Sequence, residues 1–365
     1  MKKLYSLWCV IILLISAGCN TNYNDTPSDI YDVSNAEIFL TEVESYSETE
    51  SEIESETESS EQTTVAETTT CENSTVAGII ETTTCYSEPE TTTVCATTET
   101  VTSTPQHSFT ASYAGLYNAL TMECLYSKAS TERVYPASLT KLLTACTALN
   151  YVSPDKIFTV GTELSFVADG SSLCMIHAGH RLKLRDLLAG MLMCSGNDAA
   201  YTVAVNVARE VSGMQDMSDS DAVSYFCRLM NNYARSIGAV NSNFVSPDGW
   251  DNDNQYSTVY DLALISARAL NITEIRNIVS CKSKYVVFES GETITWKNTN
   301  LLLHDDSKYY LPQAIGMKTG STAKAGKSLI AVVNVNGREY IAVVMGCEND
   351  DARYESVHEL IKKIR

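Results

Sequence analysis

Ala137-Ser-Leu-Thr-Lys-Leu-Leu-Thr-Ala-Cys-Thr-Ala-Leu149 is the stretch around which the rest of the chain can be organised. Leu139, Leu142, Leu143, Cys146 and Leu149 recur at helical spacing, so the segment reads as a helix that begins at Ser138 and buries one face. Residues three apart on a helix share a face, which lets Ser138 and Lys141 meet without help from the rest of the fold. A serine hydroxyl is a poor nucleophile at neutral pH and needs a base within hydrogen-bond reach. Lys141 can be that base only if its pKa falls, and burial beside a second cation would lower it. The Ser138 N–H, at the helix start, is placed to stabilise an oxyanion. Alone, a Ser-x-x-Lys is better read as a solvated helix start, and Ser321-Thr-Ala-Lys324 repeats the pattern with no claim to chemistry.

Elements on either side of this helix set the fold class. Thr110–Tyr126 reads as two short strands around a turn near Thr121-Met-Glu123. Helices are expected at about Leu184–Met193, Asp198–Val211, Asp219–Ile237 with Gly238 as a stop, and Thr258–Leu270 behind Ser257 as a cap. Strands follow at Lys284–Glu289, Thr293–Trp296, Ser328–Val335 and Glu339–Gly346, the last two joined by Asn336-Gly337 as a type I′ turn. A last helix is expected over about Ala352–Ile364. Strands at both ends with helices between them imply an α+β domain: an antiparallel sheet covered by helices, with a mainly helical subdomain.

The 365 residues exceed what this domain needs. Lys2 and Lys3 lead into the apolar run Leu4–Ile15, short for a bilayer span but suited to the core of a secretion signal. Ser16-Ala-Gly-Cys19 then resembles a lipoprotein processing site, with Ser16 where Leu is common, so residues 1–18 are expected to be cleaved and Cys19 lipidated; an ordinary signal leaving Cys19 unmodified is the alternative. Residues 19–106 are rich in Thr, Ser and Glu, and read as a disordered tether with a ragged Glu-Thr-Thr-Thr repeat. Between residues 20 and 106 stand 16 Glu and 3 Asp with no Lys or Arg, which equals the −19 of the whole chain. Outside that segment 26 acidic residues face 26 basic ones, two of the latter being Lys2 and Lys3 of the signal, so the folded domain, residues 107–365, carries a net charge of only −2. A coil of the tether's length reaches at least ~50 Å.

Of the twelve cysteines, seven lie in the domain, and none forms a Cys-x-x-Cys pair that would suggest zinc or redox chemistry. Cys146 and Cys227 fall on apolar helix faces and read as buried thiols. His177-Ala-Gly-His180 reads as a polar loop rather than a metal pair, because no third ligand is apparent. Asp251-Asn-Asp-Asn254 lacks the Gly and distal Glu of a calcium loop and reads as a turn. A nearly neutral domain with scattered tyrosines gives no basic nucleic-acid surface. No metal and no cofactor are expected.

Two further motifs change the weight of the first. Ser138-Leu-Thr-Lys141, Ser195-Gly-Asn197 and Lys318-Thr-Gly320 follow in the order known from penicillin-binding proteins and class A β-lactamases. Pro136–Thr144 resembles the active-site segment of the D-alanyl-D-alanine carboxypeptidases, the low-molecular-mass penicillin-binding proteins. Asp186–Met191, Ser195–Ala199, Phe244–Gly249, Tyr256–Thr258, Lys297–Asn300 and Gly316–Gly320 with Ala325-Gly326 extend the resemblance across nearly the whole domain.

The resemblance implies a β-lactamase/transpeptidase-like fold and assigns roles. Ser138 would attack the carbonyl between the two terminal D-alanines of a peptidoglycan stem peptide, with Lys141 taking its proton. Ser195 would relay a proton to the leaving amine and Asn197 would hold the substrate amide. Lys318 and Thr319 would bind the terminal carboxylate, Gly320 would let substrate lie along the strand, and the Ser321 N–H would complete the oxyanion hole. Lys318 would also be the cation that lowers Lys141. Expected partners are stem peptides ending in D-Ala-D-Ala, β-lactams as covalent inhibitors, and the membrane through the N-terminal lipid, outside the cytoplasm. Many relatives carry a second, all-β domain and a C-terminal anchor, whereas this sequence stops at Arg365 after the last expected helix. Cys194 and Trp250 flank the site motifs and could reshape the groove without touching the catalytic groups. Rival readings are a β-lactamase, disfavoured because Arg228–Ser242 holds no acidic deacylation base, and a penicillin-binding or peptidoglycan-sensing protein without turnover.

Overall fold

A computed structural model describes residues 109–364. The expected signal, Cys19 and the tether lie outside the described residues. Contacts divide the chain into two units, and all described residues belong to the second, Ala96–Arg365.

Five antiparallel strands form the central sheet. β1 (Tyr113–Asn118) and β2 (Cys124–Lys128) come first, while β7 (Ala314–Thr322), β8 (Gly326–Val335) and β9 (Arg338–Cys347) come last. Their spatial order is β2-β1-β9-β8-β7, so β7 is an edge strand. Asn336 and Gly337 turn β8 into β9 with φ of 53° and 79°, the doubly positive pair of a type I′ turn. Along β8, Ile330 and Val332 join one apolar cluster while Leu329, Ala331 and Val333 join another on the opposite face. Both faces of the strand are covered, which is why its sequence is a continuous apolar run instead of an alternating one.

One face carries the helical block: α1 (Thr140–Tyr151), α2 (Leu184–Met193), α3 (Asn197–Ser212), α4 (Asp219–Ser236), α5 (Val259–Leu270) and α6 (Thr273–Ser280). The other is covered by α7 (Asp350–Ile361), through Tyr354, Val357 and Leu360. Two small hairpins complete the fold, β3 (Ile157–Thr159) with β4 (Arg181–Lys183), and β5 (Ser283–Val287) with β6 (Thr293–Lys297). Caps set several helix starts: Ser218 Oγ accepts from Asp221 N, and Asn349 Oδ1 accepts from Ala352 N.

The α+β architecture agrees with the sequence reading, with local corrections. Helix α1 starts at Thr140, not Ser138, because Ala137–Leu139 forms a preceding 3-10 turn. Thr258, not Ser257, caps α5, its hydroxyl accepting from Asp261 N at 3.0 Å. Helix α6 and the β3/β4 pair were not expected. At eight and three residues they are too short for periodicity to register, and packing holds them. Cys146 and Cys227 are buried free thiols, as their positions on apolar faces suggested.

Candidate active site

Ser138 lies in the 3-10 turn that feeds α1, and the change of helix type does not separate it from its partner. Lys141 Nζ donates to Ser138 Oγ at 2.9 Å and to the Asp248 carbonyl at 2.7 Å. The lysine is fully buried. Burial lowers its pKa to about 8, and the nearby Asp248 and Asp198 carboxylates oppose that drop.

The turn holding Ser138 depends on a close backbone approach. Ala137 has a φ of 49° and its carbonyl faces Gly249, itself at φ 89°. A Cβ on Gly249 would stand 1.8 Å from Ala137 O, so only glycine fits. The adjoining Asp248 places Oδ1 against Ser246 Oγ (2.7 Å) and Trp250 N (3.1 Å). Its Oδ2 is buried without a hydrogen-bond partner. Trp250 itself is 40% exposed beside this loop.

β7 forms the opposite wall. Gly320 faces the nucleophile's turn, since a Cβ there would meet Leu139 Cγ at 3.2 Å and Ala137 Cβ at 3.3 Å. Lys318 is fully buried and donates to Thr319 O at 2.8 Å. Thr319 Oγ1 and Thr299 Oγ1 share a hydrogen bond of 2.8 Å. Ser321 is exposed near the end of the strand. Burial, then the charges of Lys141 and Arg353, drive the Lys318 pKa well below the ordinary lysine range. Burial is the first cause at both lysines, and the repulsion between the two ammoniums adds to it at Lys318.

Ser195 and Asn197 close the third side. Ser195 holds a φ of 62°, an uncommon conformation for a side chain other than glycine, at the entry to α3. Asn197 Nδ2 donates to Ser171 Oγ at 3.0 Å and its N–H to Ser172 O at 2.8 Å, tying the motif to the loop before β4. Cys194 places its Sγ 3.8 Å from Lys297 O, and burial pushes its thiol up to about 11. Lys318 acts on that thiol electrostatically, so Cys194 is closer to the cationic wall than the sequence implied.

Two residues of the site had no role assigned from sequence. Asp198 is buried, and its carboxylate accepts from Cys174 N (3.0 and 3.1 Å), Ile176 N (3.2 Å) and Ala199 N (2.9 Å), pinning the same loop to the first turn of α3. An acidic residue in a helix's first turn was the available signal. Arg353 of α7 lies under β7, its Nη1 3.5 Å from Gly320 O and 3.4 Å from Ser328 O, with Nη2 3.1 Å from Asp350. Nothing in its local sequence marks it. His177 and His180 sit in a turn, the His177 N–H donating to His180 Nδ1 at 3.1 Å, and no cluster of metal-ligating side chains occurs among the described residues. A surface concavity between Met214 and Arg228 contains none of the motif residues.

Ser138 thus meets a buried Lys141 and packs its turn against Gly320 of β7, while Asp198 acts electrostatically on Lys141 and Lys318 on Cys194, linking the middle motif to the other two. A family model described as D-alanyl-D-alanine carboxypeptidase matches residues 98–349. D-alanyl-D-alanine carboxypeptidase DacD of Escherichia coli (strain K12) is 33% identical over 241 residues, covering 62% of this chain and 56% of the relative. D-alanyl-D-alanine carboxypeptidase DacF of Bacillus subtilis (strain 168) is 29% identical over 244 residues, covering 66% and 58%. The chain therefore spans rather more than half the length of these curated relatives. Among solved structures, the Streptomyces K15 DD-transpeptidase superposes with a TM-score of 0.63 at 29% identity, covering 70% of this chain and 97% of that one. On these grounds the chain belongs to the D-alanyl-D-alanine carboxypeptidase family.

Proposed function

We propose that this protein is a serine D-alanyl-D-alanine carboxypeptidase that removes the terminal D-alanine from peptidoglycan stem peptides. The observation that carries the reading is the 2.9 Å contact between Ser138 Oγ and the Nζ of a fully buried Lys141 with a pKa near 8. Neutral Lys141 takes the Ser138 proton as Oγ attacks the penultimate D-alanine carbonyl. The oxyanion forms against the N–H groups of Ser138 and Ser321, donors fixed before the reaction begins. Ser195 passes a proton to the leaving amine, and Asn197 holds the substrate amide. Lys318 and Thr319 receive the terminal carboxylate, with Gly320 leaving the strand edge open between them. Arrival of that anion offsets the two neighbouring cations and favours protonated Lys318. Water then releases the shortened peptide from Ser138. β-Lactams acylate the same serine and leave slowly, which makes them inhibitors.

The acyl-enzyme has a second possible acceptor. Streptomyces K15 supplies both a relative named a carboxypeptidase, 33% identical over 238 residues, and a structure named a DD-transpeptidase. Partition between water and an amine is therefore to be measured alongside hydrolysis.

The protein is proposed to work outside the cytoplasm, exported by its leader and held to the membrane by lipid on Cys19. The support is Ala17-Gly-Cys19 after the apolar run. Among the described residues no helix is long and apolar enough to cross a membrane.

The deciding experiment incubates the protein with a pentapeptide ending in D-Ala-D-Ala and measures free D-alanine, with nitrocefin hydrolysis alongside. Release of D-alanine that vanishes in Ser138→Ala, together with fluorescent-penicillin labelling, is the expected result. Fast nitrocefin turnover without D-alanine would make it a β-lactamase, and labelling without either turnover would make it a sensor. Mass spectrometry of the mature N-terminus tests the anchor: an unmodified α-amino group would refute lipidation.

A further inference from the structure

Thr299, which the proposed mechanism leaves without a role, is gripped by three separate parts of the fold. Its N–H donates at 3.0 Å to the carbonyl of Met193, the last residue of α2 and two residues before Ser195. Its hydroxyl shares the 2.8 Å hydrogen bond with Thr319 of β7. Its carbonyl accepts from the Tyr354 hydroxyl at 3.2 Å, and Tyr354 belongs to α7, on the face of the sheet opposite the helical block. The same Tyr354 oxygen accepts from Leu301 N at 3.1 Å and lies 3.5 Å from Arg353 Nη2. One side chain therefore clamps both ends of the turn Thr299-Asn300-Leu301. Tyr354 is fully buried, and its ring stacks on Tyr309 with centroids 4.4 Å apart. Packing asks only for the ring, whereas the hydroxyl is committed to backbone groups of this turn.

A hydroxyl has one proton to give, and this fixes the direction of the Thr299–Thr319 bond when substrate is present. Thr319 can donate to a terminal carboxylate only if it accepts from Thr299. Were Thr319 the donor to Thr299, its oxygen would turn lone pairs toward an anion. The productive order is Thr299 Oγ1–H to Thr319 Oγ1 and Thr319 Oγ1–H to the carboxylate, each bond polarising the next. That order depends on where the Thr299 backbone stands, and Tyr354 holds it there. We propose that Tyr354 is a positioning residue for recognition of the substrate's terminal carboxylate, acting through Thr299 on the Thr319 hydroxyl. It touches neither substrate nor reacting atoms. The relay favours a free C-terminus over a capped one, because an anion strengthens both hydroxyl bonds and a neutral cap does not.

This inference rests on the carboxypeptidase reading, and the test separates the two. Tyr354→Phe keeps the ring and its stacking and removes the hydroxyl. Cleavage of a peptide ending in D-Ala-D-Ala is compared with cleavage of its C-terminal amide, each variant being assayed below its own thermal midpoint. For the free acid, kcat/KM should fall about five- to ten-fold, mostly in KM, the scale of a displaced hydrogen bond to a charged group, while the amide changes by less than about two-fold. Thr299→Val should give the same pattern, and Thr299→Ser, which keeps the hydroxyl, should stay near the wild type. Tyr354→Phe combined with Thr299→Val should lose no more than Thr299→Val alone, because the effect passes through Thr299. Equal losses on both peptides, or additive losses in the double variant, would overturn the proposal and leave Tyr354 a core residue that satisfies a turn. Acylation by benzylpenicillin against its methyl ester reads the same free-to-capped ratio without peptide cleavage. A wild type that cleaves neither peptide would therefore count against the carboxypeptidase reading, while the penicillin ratio still decides the role of Tyr354.

Discussion

The acylation rate should follow the protonation of Lys141. Burial takes this lysine from 10.5 to about 8. A plain one-proton titration then gives a neutral fraction of about 1% at pH 6, 10% at pH 7 and 90% at pH 9. An ordinary lysine would remain below about 5% neutral even at pH 9. With an uncharged ester substrate, which removes the carboxylate contact of Lys318 from the rate, the second-order acylation constant should climb about fifty-fold between pH 6 and 8 and then level off. Stopped-flow acylation across that range is the assay. The same burial has a thermodynamic signature. Because the folded-state pKa lies below the unfolded one, the unfolded chain binds more protons between about 8 and 10.5, and stability rises with pH through that window. The penalty on the charged form is fully present below 8. Relative to Lys141→Met, the wild type should gain about 2 kcal/mol from pH 8 to 10, at about 1.36 kcal/mol per pKa unit. A rate flat from pH 6 to 9, or a midpoint near 10, would refute Lys141 as the base.

Four other substitutions probe the scaffold and the cationic wall. Gly249→Ala sets a methyl 1.8 Å from Ala137 O and should cost about 3 kcal/mol or more and slow labelling by penicillin. Gly213→Ala, with φ 71° and open space around it, should cost only about 1 kcal/mol in the same thermal melts. Asp198→Ala orphans the N–H groups of Cys174, Ile176 and Ala199, so hydrogen exchange at those amides should accelerate and stability should fall by about 3 kcal/mol or more. Unchanged exchange would mean the loop is held by other contacts. Lys318→Ala should impair substrates with a free terminal carboxylate more than those lacking it; equal losses would assign Lys318 to tuning Lys141 instead.

Periodicity and turn chemistry carried much of the fold. Helix α2 spans Leu184–Met193 as its apolar spacing predicted, and Asn336-Gly337 turns β8 into β9 as that dipeptide requires. The Ser138–Lys141 pairing was equally legible, because residues three apart remain neighbours whether the turn is α or 3-10. These features depend on short stretches of chain. Only the tertiary structure decided that Ser138 sits ahead of the helix in a 3-10 turn, since that turn rests on Gly249, more than a hundred residues away. The same holds for Lys141, whose lowered pKa comes from a core no local pattern describes. Asp198 and Arg353 act through backbone groups of distant segments, and backbone N–H and C=O groups leave no trace in a side-chain pattern. The corner formed by Lys324, Asp253 and Tyr135 joins three turns with no common periodicity. Sequence fixes what lies within a turn or two of helix or strand; burial, cation coupling and the meeting of loops are sums over the whole fold.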